Sequence, residues 1–270
     1  MFDSHVHYDH KRFDCGREEL LEQMHENGLE YCLNAAIGFA SNESMIKLLG
    51  KYAWVFFAVG IHPNAVEISD ENDQKYLEQL HKLAELEPVK AIGETGLDYY
   101  RFQQIADADL GTTIEELKER QKKWFCLSLE LAKAHQLPLV LHVRGDAHQD
   151  ALEILDKYGY EGMTGVLHCF SEDYDTAKEY LKRGFFLGIG GMITRAEMEG
   201  VRETVKNVPL EKLLLETDSP FVRPEGMTGK RNTSESLHII AEKMGEIKGV
   251  SKEKIIDATR ENAMRLFLHI

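Results

Sequence analysis

The chain is predicted to fold as a (β/α)8 TIM barrel, an α/β architecture occupying residues 1–270 as one domain. Three observations carry that expectation. Eight short apolar, β-branched runs recur along the sequence, longer amphipathic stretches separate them, and no repeat, low-complexity tract or Pro/Ser-rich linker divides the whole. Such alternation is the signature of strand-helix units on a parallel sheet. A chain of 270 residues with 43% hydrophobic content is also long enough for one barrel with a large core.

The eight runs are "MFDSHVH" (1–7), "EYCLNAAI" (30–37), "WVFFAVG" (54–60), "VKAIGET" (89–95), "LPLVLHV" (137–143), "MTGVLHC" (163–169), "GFFLGIG" (184–190) and "EKLLLET" (211–217). Helical patterns lie between them. "REELLEQMHENG" (17–28) has apolar residues at helical spacing and a stopping glycine, and "TIEELKERQKKWFCLSLELAKAHQ" (113–136) runs from acids to bases, as the helix dipole favours. Two final helices, around 234–247 and 251–268, close the chain.

The first run already carries chemistry. Strand alternation turns His5 and His7 to one face, together with Asp3 and Asp9, while Phe2, Val6 and Tyr8 face the other way. Two imidazoles side by side suit one borderline metal ion such as zinc; an ordinary half-exposed strand is the alternative. The barrel decides between them, because its active-site residues sit at the C-terminal ends of the strands. Those ends hold His5 and His7, then His62, Glu94, His142, His168 and Asp218. The mouth is thus dense in metal-binding groups, and His5 with His7 forms half of one metal's shell.

Bulk properties bound the partners. A formal charge of −14 argues against broad wrapping of duplex nucleic acid, though not against a local phosphate site that bound cations complete. No apolar run approaches the roughly 18 residues of a membrane span, and residues 1 onward lack a basic-then-apolar leader. A cytoplasmic protein without membrane contact is expected. Cys15, Cys32, Cys126 and Cys169 are widely spaced without a Cys-x-x-Cys, which suggests reduced thiols.

"FDSHVHYD", "GIHP" (60–63), "GETGLDYY" (93–100), "LHVRGDA" (141–147), "LHCFS" (167–171) and "LETDSPF" (215–221) together resemble the TatD-like metal-dependent deoxyribonucleases, a family related to the amidohydrolases. The resemblance spans nearly the whole chain. It implies that His5, His7, Glu94 and Asp218 hold one divalent ion and Glu94, His142 and His168 a second, with Glu94 as the bridge. A carboxylate suits that role, since its two oxygens can reach two cations where an imidazole offers one lone pair. Flanking glycines, Gly93 and Gly96, admit close backbone approach. Amidohydrolases often place a carboxylated lysine at the equivalent strand, and this chain has glutamate. His142 and His168 taken singly read as hydrogen-bonded core residues; opposite the His-x-His and an acid they read as ligands.

The implied activity is hydrolysis of phosphodiester bonds in DNA, single-stranded or accessible at its ends, with Asp218 as general base beside Glu94. The ions are zinc, manganese, cobalt, nickel or magnesium, among which histidine-carboxylate sites do not choose. Arg101, Arg144, Lys230 and Arg231 are candidates to hold phosphate oxygens, or else ordinary solvated bases. His62 either contacts substrate or caps the strand end before Pro63. Hydrolysis of small-molecule amides, lactones or esters is the alternative activity, because fold does not fix substrate, and a non-enzymatic metal-stabilised module is the third reading. The sequence departs from the family pattern at Gly145, one residue more than usual between Arg144 and Asp146, and at Thr233 and Ser234, where Glu-Pro often follows "GKRN" (229–232). Residues 101–113 are longer than expected after strand four, either covering the mouth, serving in dimerisation or forming a solvated insertion.

Overall fold

Every one of the eight apolar runs becomes a strand, in a computed structural model that describes residues 1–100, 102 and 112–270. The strands are β1 (Phe2–Val6), β2 (Tyr31–Ala35), β3 (Val55–Val59), β4 (Val89–Asp98), β5 (Leu139–Arg144), β6 (Gly165–Leu167), β7 (Phe185–Ile189) and β8 (Leu213–Leu215). All pair in parallel and in chain order. A parallel bridge between Val6 and Ser219 joins the β8 exit to β1, with the His7 amide donating to the Ser219 carbonyl at 2.8 Å, so the sheet closes as a TIM barrel. Arg101, and the extension at 101–113 apart from Phe102, Thr112 and Thr113, lie outside the described residues.

The helices surround this sheet. They are α1 (Arg17–Glu26), α2 (Phe39–Leu49), α3 (Asp73–Ala84), α4 (Ile114–His135), α5 (His148–Tyr158), α6 (Tyr174–Lys182), α7 (Glu199–Asn207), α8 (Leu237–Lys248) and α9 (Lys252–Ala263), the last running into a π turn at Met264–Leu268. The expected helix at 113–136 starts at Ile114 because Thr113 caps it: its hydroxyl accepts from the Glu116 amide while the Glu116 carboxylate accepts from the Thr113 amide.

Two apolar layers follow from strand alternation. Outward-facing Leu139, Leu141, Val143, Leu187 and Leu213 pack against helix residues such as Leu21, Leu80, Trp124 and Phe125. Inward-facing Leu33, Ala35, Ala58, Val140, Val166 and Leu214 fill the barrel, and Phe267 of the π turn plugs its lower end beside Phe2. Above that plug the inward positions become polar: two residues beyond Val140 comes His142, beyond Val166 His168, and beyond Leu214 Glu216. Small neighbours make the room. A Cβ on Gly188 of β7 would stand 2.1 Å from Glu216 Oε2, and one on Gly60 2.7 Å from the Gly93 carbonyl carbon.

Strand β1 departs from the alternation expected for it. Its register against β2 shifts between Asp3 and Val6, so Phe2 faces the barrel interior with His5, and Asp3 turns away from the histidines. Asp3 instead pins the seam. Its carboxylate accepts from the Thr217 amide (3.0 Å), the Thr217 hydroxyl (2.7 Å) and the Ser234 hydroxyl (2.6 Å), and Ser234 also pairs with the Tyr8 hydroxyl at 2.6 Å. Ser234, at a departure from the family pattern, thus has a definite structural role. Removing the acceptor in Asp3→Ala leaves these buried donors unmet and is expected to destabilise the metal-free protein by about 2–4 kcal/mol in urea unfolding. Asp3→Asn, which keeps one carbonyl acceptor, should lose clearly less.

Candidate metal centre

Six ionisable side chains converge where the inward positions turn polar. His5 and His7 come from β1 and its exit, Glu94 from β4, His142 from β5, His168 just after β6 and Asp218 after β8. A register shift between Gly93 and Thr95 forms a bulge at Glu94, which re-aims its side chain inward, a common device beside active sites. The carboxylate then divides its oxygens. Oε2 lies 3.4 Å from His5 Nε2 and 3.7 Å from His7 Nε2, whereas Oε1 lies 2.7 Å from His142 Nδ1 and 3.3 Å from His168 Nε2. Asp218 Oδ1 completes the first group, 3.3 Å from His7 Nε2 and 3.9 Å from His5 Nε2.

These separations fit a shared cation. Donors about 2.1 Å from one ion, at tetrahedral or right angles, stand about 3.0–3.4 Å apart. His5 Nε2 and His7 Nε2 are 3.1 Å apart, and groups drawn from these six residues bring ligand atoms within 4.8 Å of one another. The outer nitrogens set the tautomers: His7 Nδ1–H donates to the Ala35 carbonyl at 2.8 Å and His168 Nδ1–H to Glu216 Oε1 at 3.1 Å, which leaves each Nε2 lone pair for a metal. His5 Nδ1 is buried with no hydrogen-bond partner. The residues present fit divalent ions of the zinc or manganese kind.

Two carboxylates here lie beyond those singled out from the sequence. Glu216 is fully buried inside the barrel; Oε1 orients His168 and accepts from the Cys169 amide, while Oε2 has no partner. Asp98 accepts from Asn64 Nδ2 at 2.6 Å and from the Tyr100 amide at 3.0 Å, and lies 3.3 Å from His142 Nε2. Burial opposes its charge, but His142, the Tyr100 amide and Asn64 outweigh that and hold it down at about 2. The period-2 reading of β4 and β8 marks both positions, since Asp98 follows Glu94 and Gly96 inward and Glu216 follows Leu214.

The other predicted residues are placed unequally. His62 caps the strand end, Nδ1 accepting from the Asn64 amide at 3.0 Å, and its Nε2 lies 3.5 Å from Glu94 Oε1. With Nδ1 an acceptor, the neutral ring presents an N–H to the cluster, and burial lowers its pKa to about 4. Arg144 turns over the mouth despite the extra Gly145, whose left-handed φ of +66° absorbs the insertion. Its guanidinium reaches Ser171 Oγ (3.1 Å) and Cys169 Sγ (2.8 Å), and it lines a cavity of about 690 Å³ with His62, Asp98, Tyr100 and His142. Lys230 lines a neighbouring groove instead, and Arg231 donates to the Arg12 carbonyl at 2.6 Å with its guanidinium over Phe13.

Charge is balanced within the cluster. Burial opposes ionisation of His7, yet its bond to Asp218 and the charges of Asp218, Glu94 and Asp9 outweigh it and raise the ring to about 8. Burial likewise resists the charge on Glu94, but the surrounding histidines hold the carboxylate well below its ordinary range. A proton on His7 competes with a metal for Nε2. Affinity for an ion at the His5–His7 group is therefore expected to be highest above about pH 8 and to fall about tenfold per pH unit below it, His7 giving up one proton as the ion binds. Competition with a chromophoric chelator between pH 6 and 9 reads that slope, and a flat response would show that His7 carries no proton in the metal-free protein.

A TIM barrel whose mouth gathers histidines and carboxylates in this way defines a metal-dependent hydrolase. The model of the TatD related DNase family matches residues 2–268, and the chain belongs to that family. It is 34% identical to the uncharacterized metal-dependent hydrolase YcfH of Escherichia coli (strain K12) over 274 residues, covering 99% of this chain and 95% of the relative. A protein named 3'-5' ssDNA/RNA exonuclease TatD, from Cronobacter turicensis, is 32% identical over 274 residues, covering 99% and 98%. Among solved structures, that of YJJV, a TatD homolog from Escherichia coli K12, superposes with a TM-score of 0.85 at 27% identity, covering 99% of this chain and 98% of that one. Among the described residues no helix is long and apolar enough to cross a membrane.

Proposed function

We propose that the protein hydrolyses phosphodiester bonds in DNA, working inward from single-stranded or frayed ends, in the cytoplasm and with two divalent ions. The division of Glu94 between two groups of ligands carries this reading: Oε2 faces His5 and His7, Oε1 faces His142 and His168. Divalent ions at such a site polarise phosphate oxygens and acidify water. The chain's own residues do the rest. Asp218 is ionised, held below the ordinary carboxylate range by His7, His168 and His5 against the cost of burial, and is the acceptor for the proton of the attacking water. Water adds at phosphorus, the phosphorus–oxygen ester bond breaks, and the departing oxygen takes up a proton. His62 offers an N–H at the cluster and Arg144 a guanidinium at the mouth, both suited to phosphate oxygens.

The name of the Cronobacter relative supports a nucleic-acid substrate, and the −14 charge favours local grip on a strand end over tracking along a duplex. The test is an end-labelled oligonucleotide digested by protein loaded with one defined metal at a time, with a closed circular duplex as control. Progressive shortening from a free end, with the circle spared, is expected. Cutting the circle as fast as a linear strand would remove the end-directed reading, and turnover of an amide or lactone panel without phosphodiester cleavage would replace it with small-molecule hydrolysis. Metal analysis of the saturated protein should give two ions per chain; one ion at saturation would remove the binuclear reading.

A further inference from the structure

Beside the metal centre the loops leaving β1, β7 and β8 form a second groove, of about 490 Å³, lined by Arg12, Arg195, Arg223 and Lys230 around Phe221. Glu225 is the only acid among its lining residues. That composition runs against the rest of a chain with 46 acidic and 32 basic residues. Four arginines elsewhere are paired with acids, Arg17 with Asp14, Arg120 with Asp73, Arg183 with Asp156 and Arg260 with Glu30. Among the described residues none of the four cations in the groove has a carboxylate within 4.0 Å. Like charges gathered without counter-ions raise each other's energy, and an anionic ligand relieves this.

The groove is built and connected. Arg12 lies over the Phe221 ring at 5.4 Å, and its carbonyl accepts from Arg231, whose own guanidinium rests on Phe13 at 4.8 Å. These contacts knit the β1 and β8 exits together. The Phe221 ring meets His10 edge-on at 5.3 Å and the ligand His7 at 5.9 Å, so the groove floor abuts the metal cluster. Arg195 lines both this groove and the cavity that holds His62, His142 and Arg144. The two hollows therefore adjoin at Arg195, beside the cluster.

We propose that this groove binds the sugar-phosphate backbone of a single strand next to the bond being cut. The proposal rests on the phosphodiesterase reading above and adds an extended subsite to it. Arginine forks match phosphate oxygens, and a cationic groove following a backbone is how single strands are held without sequence preference. The ligands are nearly all buried, so a flexible strand reaches them where a stacked duplex does not.

The test compares oligothymidylates of two to twelve nucleotides, and bis(p-nitrophenyl) phosphate, as substrates of the metal-saturated protein. Variants are Arg12→Gln with Arg223→Gln, and Arg12→Lys with Arg223→Lys as the charge-retaining control. In the wild type kcat/KM should rise with length. The glutamine pair should lose about tenfold or more on the twelve-mer, chiefly through KM, and much less on the two-mer, while the lysine pair recovers most of it. The slope of log KM against log salt should shrink by about 1.4, for two lost phosphate contacts on a single strand. Equal losses on two-mer and twelve-mer, or no loss on the twelve-mer, would overturn the groove. If the wild type cleaves no phosphodiester, the activity reading fails by itself. Fluorescence anisotropy of the labelled twelve-mer on metal-loaded protein then decides the groove separately: weakening by the glutamine pair alone supports it, and equal binding by all three proteins overturns it.

Discussion

Asp218→Asn is expected to remain about 10²- to 10⁴-fold slower than wild type even when its metal site is shown to be full, whereas His5→Ala should regain part of its activity in excess manganese. The difference follows from what each side chain supplies. Asparagine keeps the size and one oxygen for weak coordination but loses the negative charge and the proton affinity that a general base needs. His5 contributes a lone pair alone, and mass action refills a site that a missing ligand has weakened. Asp218 lies 3.3 Å from His7 and is held ionised by its histidine neighbours, a position and charge that suit both coordination and proton transfer. Return of Asp218→Asn to near wild-type turnover at saturating metal would reduce Asp218 to a ligand.

A larger loss is expected from Glu94→Ala. It removes both oxygens that link the β1 histidines to those of β5 and β6, leaving five rings, His5, His7, His62, His142 and His168, around a position without charge. Outer-shell partners of a metal typically govern about 10–100-fold in affinity, and a shared ligand exceeds that, so affinity should fall more than about a hundredfold at both groups, with turnover falling in step. Isothermal titration of each group gives the answer. Unchanged affinity on the His5–His7 side would confine Glu94 to His142 and His168 and end its description as a bridge.

How much of this was legible in the sequence depended on whether local pattern or tertiary contact sets the outcome. The strands were legible because each is an apolar run with a two-residue rhythm, and the barrel rule then pointed to the ends where His5, His7, Glu94, His142, His168 and Asp218 converge. Glu216 escaped because the apolar run read from the sequence extends to 217, past the strand's true end at Leu215, and attention to the end of that run fell on Asp218. The bulge in β1 turned Asp3 to Thr217 and Ser234, an irregularity that no alternation rule anticipates. Lys230 and Arg231 belong to a loop whose course is set by the Arg12 carbonyl and the Phe13 ring, neighbours that only the folded chain brings together.

The seam between β1 and β8 has a consequence for the order of synthesis. Asp3 and Thr217, which fasten it, are 214 residues apart in the chain, and His5, His7 and Asp218 are carried on its two sides. During translation Asp218 follows His5 and His7 only after the strands between them have left the ribosome. Until then a nascent chain displays these imidazoles with Glu94 but without Asp218 beside them. The six residues of the cluster thus come together only when the exit of the last strand docks against the first.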